Sequence, residues 1–432
     1  MKTTTNTYLP CVILALSLSS ISNSDALGAW TQHQGNAWHN GNVGEAIGAI
    51  GFKQAWSILA TDLGGSIVPG VVSDGGTVYF SARTNGADPY SVIAVDSVTA
   101  AEDWRRGFKP YSGGISAPSI GNGKVYVHQW GHSGISGGNA SQYPYVFGLD
   151  AANGDIDFAT NHSGQWSSGS RPTVIDDQVF AAGGYYGGLD AYDGVNGGVD
   201  WFAKVNQQYG WIPAADEDHV YVYMGAASAS PGPKTGRLYA FDRRTGASAF
   251  TIINSDDTWT RNNASPIVGS QGNVLAFSSA RDGNKLVSFD ISTESVVWRY
   301  PVLTNGYVAV DDGLVFAPNG IELTVLDEAT GTPVDRWFAP SGEAITGNLI
   351  VADDALIVQT DQRTYLLDRS SFDELWSTEL KGEVAYTDGM LFISNSSGVY
   401  ALATVPEPSS AIMLASACMV LLRSCRCRRH TV

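Results

Sequence analysis

Short apolar runs closed by an aspartate, such as Leu238-Tyr239-Ala240-Phe241-Asp242 and Leu323-Thr324-Val325-Leu326-Asp327, recur along this chain and predict short strands that end in turns. After each aspartate come two residues, then Thr, Asn or Ser, then four residues and an aromatic. The phrase reads Asp96-Thr99-Trp104, Asp150-Asn153-Phe158, Asp193-Asn196-Trp201, Asp242-Thr245-Phe250, Asp290-Thr293-Trp298 and Asp368-Ser371-Trp376. A seventh copy, Asp327-Thr330-Trp337, is stretched by two residues. Self-similarity at about 40 to 50 residues marks a propeller or array, because one unit cannot bury its apolar face without a neighbour.

The residue types follow from the turn that each phrase makes. An aspartate carboxylate accepts backbone N–H bonds from the residues just after it. Gly154, Gly197, Gly246 and Gly331 follow the Thr/Asn position, where a hairpin turn visits positive φ. The next strand delivers the aromatic, which at a fixed offset in every unit wedges between adjacent sheets. Burying such a ring stabilises by roughly 1.5–3 kcal/mol. The repeated Asp and Trp residues are therefore read as scaffold.

Between successive phrases lie two more strand candidates, at 115–120 and 124–129 in one unit and at 265–268 and 274–278 in another. Four strands per unit make one propeller blade. After Trp376 come three further strands, at 383–387, 390–394 and 399–404, with no fourth; ahead of the first unit, 51–57 supplies a lone strand around Trp56. The two fragments complete each other. The expected fold is all-β: an eight-bladed β-propeller of four-stranded antiparallel blades, closed by N- and C-terminal strands in one blade, with no open seam.

Abundant Gly and only 16% charged residues agree with many short strands and tight turns. The formal charge of -17 disfavours nucleic acid or anionic lipid as the main partner. Residues 1–26, with Lys2 ahead of an apolar run from Tyr8 to Leu18 and small residues after it, read as an export signal. The four cysteines, Cys11, Cys418, Cys425 and Cys427, all lie in the terminal segments, so the domain expected at 27–404 has no disulfide. In 405–432, Pro406-Glu407-Pro408 precedes an apolar run from Ser409 to Leu422 and then Arg423, Arg426, Arg428 and Arg429. As a helix that run spans about 21 Å, short of a hydrocarbon core of roughly 30 Å. Its order closely resembles the PEP-CTERM sorting signal, which in that family is cleaved by a membrane exosortase. The resemblance implies an exported protein, at the cell surface or extracellular, held in the membrane only by this segment before processing.

The repeats resemble those of the pyrroloquinoline quinone (PQQ) enzyme superfamily, whose blades carry a motif close to Ala-x-Asp-x-x-Thr-Gly-x-x-x-x-Trp. Ala240-Phe241-Asp242-Arg243-Arg244-Thr245-Gly246 matches it, as does Ala191-Tyr192-Asp193-Gly194-Val195-Asn196-Gly197 with Trp201 and Asn for Thr. The opening segment Trp30 to Gly41, with Gly35-Asn36, is similar to the start of such proteins. In the dehydrogenases of that superfamily the resemblance would imply PQQ stacked above a disulfide of adjacent cysteines, Ca²⁺ held by acidic and amide side chains, and an Asp base. The domain has no cysteine and no CxxCH haem site. Sugar dehydrogenases on related propellers dispense with the disulfide, so PQQ and Ca²⁺ stay open as cofactors although no catalytic set is assigned.

Other chemistry is thin. His128 and His132 lie four apart, but a strand followed by Gly-rich chain suits ordinary histidines better than metal ligands. Asp256-Asp257, Asp311-Asp312 and Asp353-Asp354 read as turn residues. In an up-and-down blade, the segment leading into the inner strand and the loop between the second and third strands emerge on one side. The long loops at 83–90, 130–145 and 225–236 fall there, with lead-in segments that run into Pro172, Pro213 and Pro266. Trp166, Arg171, Tyr209, Trp211, Trp259, Arg261, Asn262 and Asn263 are thus expected around one mouth of the central channel, where rings with Arg and Asn suit a sugar or a peptide. The same rings also suit plugging the channel or packing between loops. Three functions remain: a non-catalytic binding or scaffold protein for surface protein or polysaccharide, a PQQ- and Ca²⁺-dependent alcohol or sugar dehydrogenase, and a periplasmic scaffold for outer-membrane assembly.

Overall fold

The computed structural model describes residues 29–108, 114–129, 145–162, 170–183, 187–205, 211–224, 235–257, 265–280, 283–303 and 307–406. They form eight four-stranded antiparallel sheets. Blades 1 to 7 span 66–108, 119–161, 173–203, 214–254, 267–302, 309–338 and 350–378, each a meander from the channel outward. Blade 8 runs outward from Glu383–Thr387 through Met390–Asn395 and Gly398–Pro406, and Ala49–Leu59 adds its outermost strand. Innermost strands of neighbouring blades adjoin one another, and that of blade 8 adjoins that of blade 1. The expected closure is therefore present, with Trp56 opposite Ala401 and Ser57 opposite Tyr400. Among the described residues no helix is long and apolar enough to cross a membrane.

Each repeat aspartate ties its turn as the sequence implies. Asp242 accepts the Thr245 N–H and hydroxyl at 2.8 and 2.7 Å, and Asp96, Asp327 and Asp368 do the same with Thr99, Thr330 and the Ser370–Ser371 pair. A β-bulge then sets the aromatic opposite a small residue of the third strand: Trp104 on Ala94, Phe158 on Gly148, Trp201 on Ala191, Trp298 on Ser288. The outer strand of blade 8 carries the same bulge before Trp56.

The rings leave their own blade and dock on the next. Trp56, Trp104, Trp201 and Trp298 each donate the indole N–H to the carbonyl of the residue after the next blade's aspartate, at Ser97, Ala151, Arg243 and Glu328, over 2.8–3.0 Å. Phe158 has no such donor, and Tyr126 of the same blade supplies the bond to Gly194. Trp104, Phe158, Trp201 and Trp298 lie on the turn glycine of the neighbouring blade, whereas the turn of blade 1, next to Trp56, has Ala100 at φ 60°. A Cβ at Gly246 or Gly331 would sit 2.5 Å from Trp201 or Trp298, so these glycines serve close approach as well as positive φ. In blade 7 the turn has Phe372 at φ 58° where blades 2, 3, 4 and 6 have Gly, and its bulk leaves no room for a ring. That accounts for the stretched copy: Asp335 occupies the bulge, and Trp337, two residues on and half-buried, packs beside Phe372 and on Tyr365.

Residues 30–43 form an element that strand patterning did not reveal. The carbonyls of Trp30, Thr31, Ala37, Trp38, Asn40 and Gly41 accept from Ser73, Ile120, Ala215, Val268, Val310 and Val351, over 2.7–2.9 Å. Blade 3 is met by the Gln32 side chain, which bonds both the N–H and the C=O of Val174 at 2.8 Å. The segment thus visits the innermost strands of blades 1 to 7 in order and satisfies the edge that a channel wall would otherwise leave unpaired. Close approach demands glycine at Gly41, φ 67°, where a Cβ would meet Ala309 at 2.9 Å. The innermost strands are shorter than the sequence predicts, Ser119–Gly121 in blade 2 and Ile267–Val268 in blade 5. Pro118 and Pro266 lack the N–H needed to extend them.

Candidate functional site

The side of the ring where lead-in segments and second-to-third loops emerge carries the site. Of the mouth residues expected from sequence, Trp166, Tyr209, Trp259, Arg261, Asn262 and Asn263 lie outside the described residues, as do Glu407, Pro408, Arg423, Arg426, Arg428 and Arg429 of the sorting motif. Pro406 ends the closing strand opposite Ala49. Trp211 departs from expectation: it is 1% exposed, in a core cluster with Ala37 and Val205. The chain turns inward at Ile212-Pro213, and its ring follows. Of the expected mouth residues that are described, only Arg171 reaches the channel opening.

Arg171, just ahead of blade 3, crosses to the far side of the ring. Its guanidinium donates to the Pro69 carbonyl of blade 1 at 2.8 Å and pairs with Glu383 at the start of blade 8. Blade 1 makes room with a bulge at Pro69-Gly70; Gly70 has φ 107°, and a Cβ there would strike the guanidinium. Ser394 holds the bulge, accepting the Gly70 N–H at 2.9 Å. Two histidines of the channel segment lie close to Arg171. His33 rests edge-on against His39 and Tyr307, with ring centroids 4.9 and 5.3 Å away, and its Nε2 has no partner. His39 donates from Nδ1 to the Pro266 carbonyl at 3.2 Å.

Beside the Arg171–Glu383 pair opens a cavity of about 590 Å³, lined from blades 6, 7, 8 and 1 by residues including Tyr307, Thr346, Gln359, Lys381, Asn395 and the Ser396-Ser397 turn. Its walls are tied down. Gln359 accepts the Gly382 N–H and donates to Thr364, Asn395 bonds the Lys381 carbonyl and the Ser397 N–H, and Lys381 donates to the Asp361 carbonyl. Sequence reasoning missed these residues because they are single polar side chains in short connections. One usable signal was Glu383, a carboxylate where blades 3 to 7 begin their innermost strands with Thr, Ala or Ile.

Away from the mouth, His128 stacks on His162 with ring centroids 4.3 Å apart, both buried between blades 2 and 3, and Asp190 lies 3.6 Å from His162 Nε2. The acidic pairs serve the fold. Asp354 accepts the Ile47 and Gly48 N–H groups at 2.7 and 2.8 Å, Asp311 pairs with Arg369 at 2.5 Å, and Asp257 accepts the Tyr223 hydroxyl at 2.7 Å.

Burial holds the imidazoles neutral. It pushes His33 and His128 well below the ordinary range, helped by neighbouring His39 and His162 respectively. It brings His162 to about 4 and His39 to about 3, the Pro266 carbonyl opposing the shift at His39. Between the folded value and about 6.5 the unfolded chain binds the extra proton, so this stability is complete above pH 6.5 and falls on acidification. At pH 5 His39 and His162 each cost about 2 kcal/mol. The repeat carboxylates act lower: hydrogen bonds from Thr or Ser hold Asp96, Asp242, Asp290 and Asp327 down and bring Asp368 to about 2, so their contribution is lost only below about pH 4. Asp74 and Glu328, raised by burial, work in the opposite sense. The expected result is a melting temperature that drops steadily from pH 7 to pH 4 in calorimetry; a flat profile over that range contradicts the assignment.

The quinone and Ca²⁺ implied by the repeat resemblance were tested against these side chains, and the described residues do not fit them. No cysteine lies between 12 and 417, and no three His, Cys, Asp or Glu side chains gather as metal donors among the described residues. Of the two carboxylates among the described lining residues, Glu383 is taken by Arg171 and Asp361 accepts the Ala344 N–H.

Eight bladed sheets, the docking aromatics and the Asp-led turns define a PQQ-like β-propeller. The sequence profile of the family PQQ_2, described as outer membrane protein assembly factor BamB, matches residues 145–378, more than half of the chain, and the chain belongs to that family. Solved structures with the same architecture include a europium-containing methanol dehydrogenase, at 14% identity and TM-score 0.64 over 86% of this chain and 90% of that one. The quinohemoprotein alcohol dehydrogenase from Comamonas testosteroni aligns at 14% identity and TM-score 0.62, covering 88% of this chain and 81% of that one. BamB from Moraxella catarrhalis aligns at 16% identity and TM-score 0.54, covering 82% and 98%. At such identities the likeness is one of fold. No curated protein sequence matches the chain.

Proposed function

We propose that this protein is an exported propeller, delivered to the cell surface or beyond through its PEP-CTERM-like tail and an exosortase-type enzyme, and that it binds a surface polysaccharide or protein without transforming it. The observation that carries the reading is the build of the mouth. The Arg171–Glu383 pair and residues 30–43 line the channel, and the cavity beside them is walled by small and polar side chains that hydrogen bonds hold in place, with no group of three metal donors among the described residues. A fold of this kind accommodates both dehydrogenases and an assembly factor, so the site has to decide. A second reading, a scaffold for outer-membrane protein assembly, is favoured by the family description and the likeness to BamB.

Incubating the folded chain with surface polysaccharide and surface protein fractions, and in parallel with PQQ, Ca²⁺ and alcohols or sugars, tests these readings. Retention of a surface component without turnover is expected. Retention of unfolded outer-membrane protein alone transfers the weight to the second reading, and turnover overturns both.

A further inference from the structure

The cavity beside the Arg171–Glu383 pair is more specific than a general binding face. We propose that it is a subsite for the end of a neutral saccharide chain, with Tyr307 as its stacking platform; this rests on the binding function proposed above. Its volume, about 590 Å³, lies inside the range of small-molecule sites. The hydroxyls of Tyr307, Thr346, Ser396 and Ser397 line it and have no hydrogen-bond partner among the described residues. Tyr307 is 36% exposed, the one aromatic ring among the described lining residues, and His33 packs edge-on against it. A ring beside several free hydroxyls matches the apolar C–H face and polar rim of a pyranose.

Charge argues against an ionic ligand. Arg171 is matched by Glu383, and Lys381 donates to the backbone carbonyl of Asp361, whose carboxylate accepts the Ala344 N–H at 3.1 Å, so two cations and two carboxylates at the opening leave no net charge. With no net charge at the opening, an anion or a cation entering here loses hydration against little net attraction. A polyol meets donors and acceptors already held in place by Gln359 and Asn395, so little ordering cost remains.

The test is calorimetric titration of the full chain with cellotetraose, maltotetraose and chitotetraose, and with tetragalacturonate as the charged contrast. Two variants are compared: Tyr307→Ala removes the platform, and Ser396→Trp fills the cavity from an exposed turn whose serine side chain bonds nothing, with thermal melts confirming that both fold. Saturable binding of a neutral tetrasaccharide, weakened at least tenfold in both variants, is expected. No neutral ligand saturating the protein, binding unchanged in both variants, or preference for tetragalacturonate overturns the proposal. Capture of surface components separates the two levels. If wild type and both variants retain them equally, this subsite is wrong and the binding function stands; if wild type retains nothing, the binding function itself fails.

Discussion

Truncation after Ser397 is expected to leave no cooperatively folded protein, whereas a chain ending at Pro406 folds. The strand removed, Gly398–Pro406, pairs on one side with Met390–Asn395 and on the other with Ala49–Leu59, so its loss unpairs two ladders and detaches the N-terminal strand from blade 8. Val399, Ala401 and Leu402 are buried to 2% exposure or less, and removing Val399 and Leu402 alone forfeits about 1.5–3 kcal/mol each. Trp56 then no longer holds Ser97 of blade 1, and an open seam exposes strand edges that favour aggregation. Against a total stability of about 5–15 kcal/mol, these losses leave no margin. Circular dichroism and size-exclusion chromatography read the outcome; a monomeric shorter chain with a sharp melt contradicts the closure.

Second in size is the effect of Trp298→Ala, expected to cost about 3–5 kcal/mol. The ring is 8% exposed, donates to the Glu328 carbonyl at 2.8 Å and covers Gly331, so its removal leaves both a cavity and a carbonyl without its donor at the joint between blades 5 and 6. Gly331→Ala attacks the same joint from the other side, with a Cβ 2.5 Å from the indole at φ 67°, and is expected to cost about 1–3 kcal/mol. Trp337→Ala, at the stretched copy, is the control. Its half-buried ring has left the bulge position, so the cost is expected to be the smallest of the three in denaturant titrations. Equal costs for Trp298→Ala and Trp337→Ala contradict the docking account.

Much of the fold was legible because the turn chemistry is local. An aspartate followed three residues on by Thr, Ser or Asn opens each turn, with a glycine next in four of the seven, and the unpaired strands at the two ends demanded a shared eighth blade. What the sequence could not give was contact between distant segments. Nothing in the pattern of Trp30 to Gly41 states that its carbonyls meet one innermost strand after another, since that needs only backbone acceptors at the right spacing. The reach of Arg171 to Glu383 across the opening depends on a bulge at Gly70 in another blade. Trp211 was misjudged because a lead-in ring can turn outward or into the core, and the identity of Trp decides neither. Tyr307 and the Ser396-Ser397 turn carry no repeat signature at all, so the cavity became visible only when four blades were brought together.

The account stands or falls on whether the mouth receives a quinone. The measurement is an equilibrium titration of the folded chain with PQQ, with and without Ca²⁺, followed by tryptophan fluorescence and by dialysis. With Arg171 and Glu383 committed to each other and no cysteine in the domain, the expected result is no saturation under either condition. Stoichiometric, Ca²⁺-dependent binding of PQQ would contradict the reading and make the protein a dehydrogenase candidate.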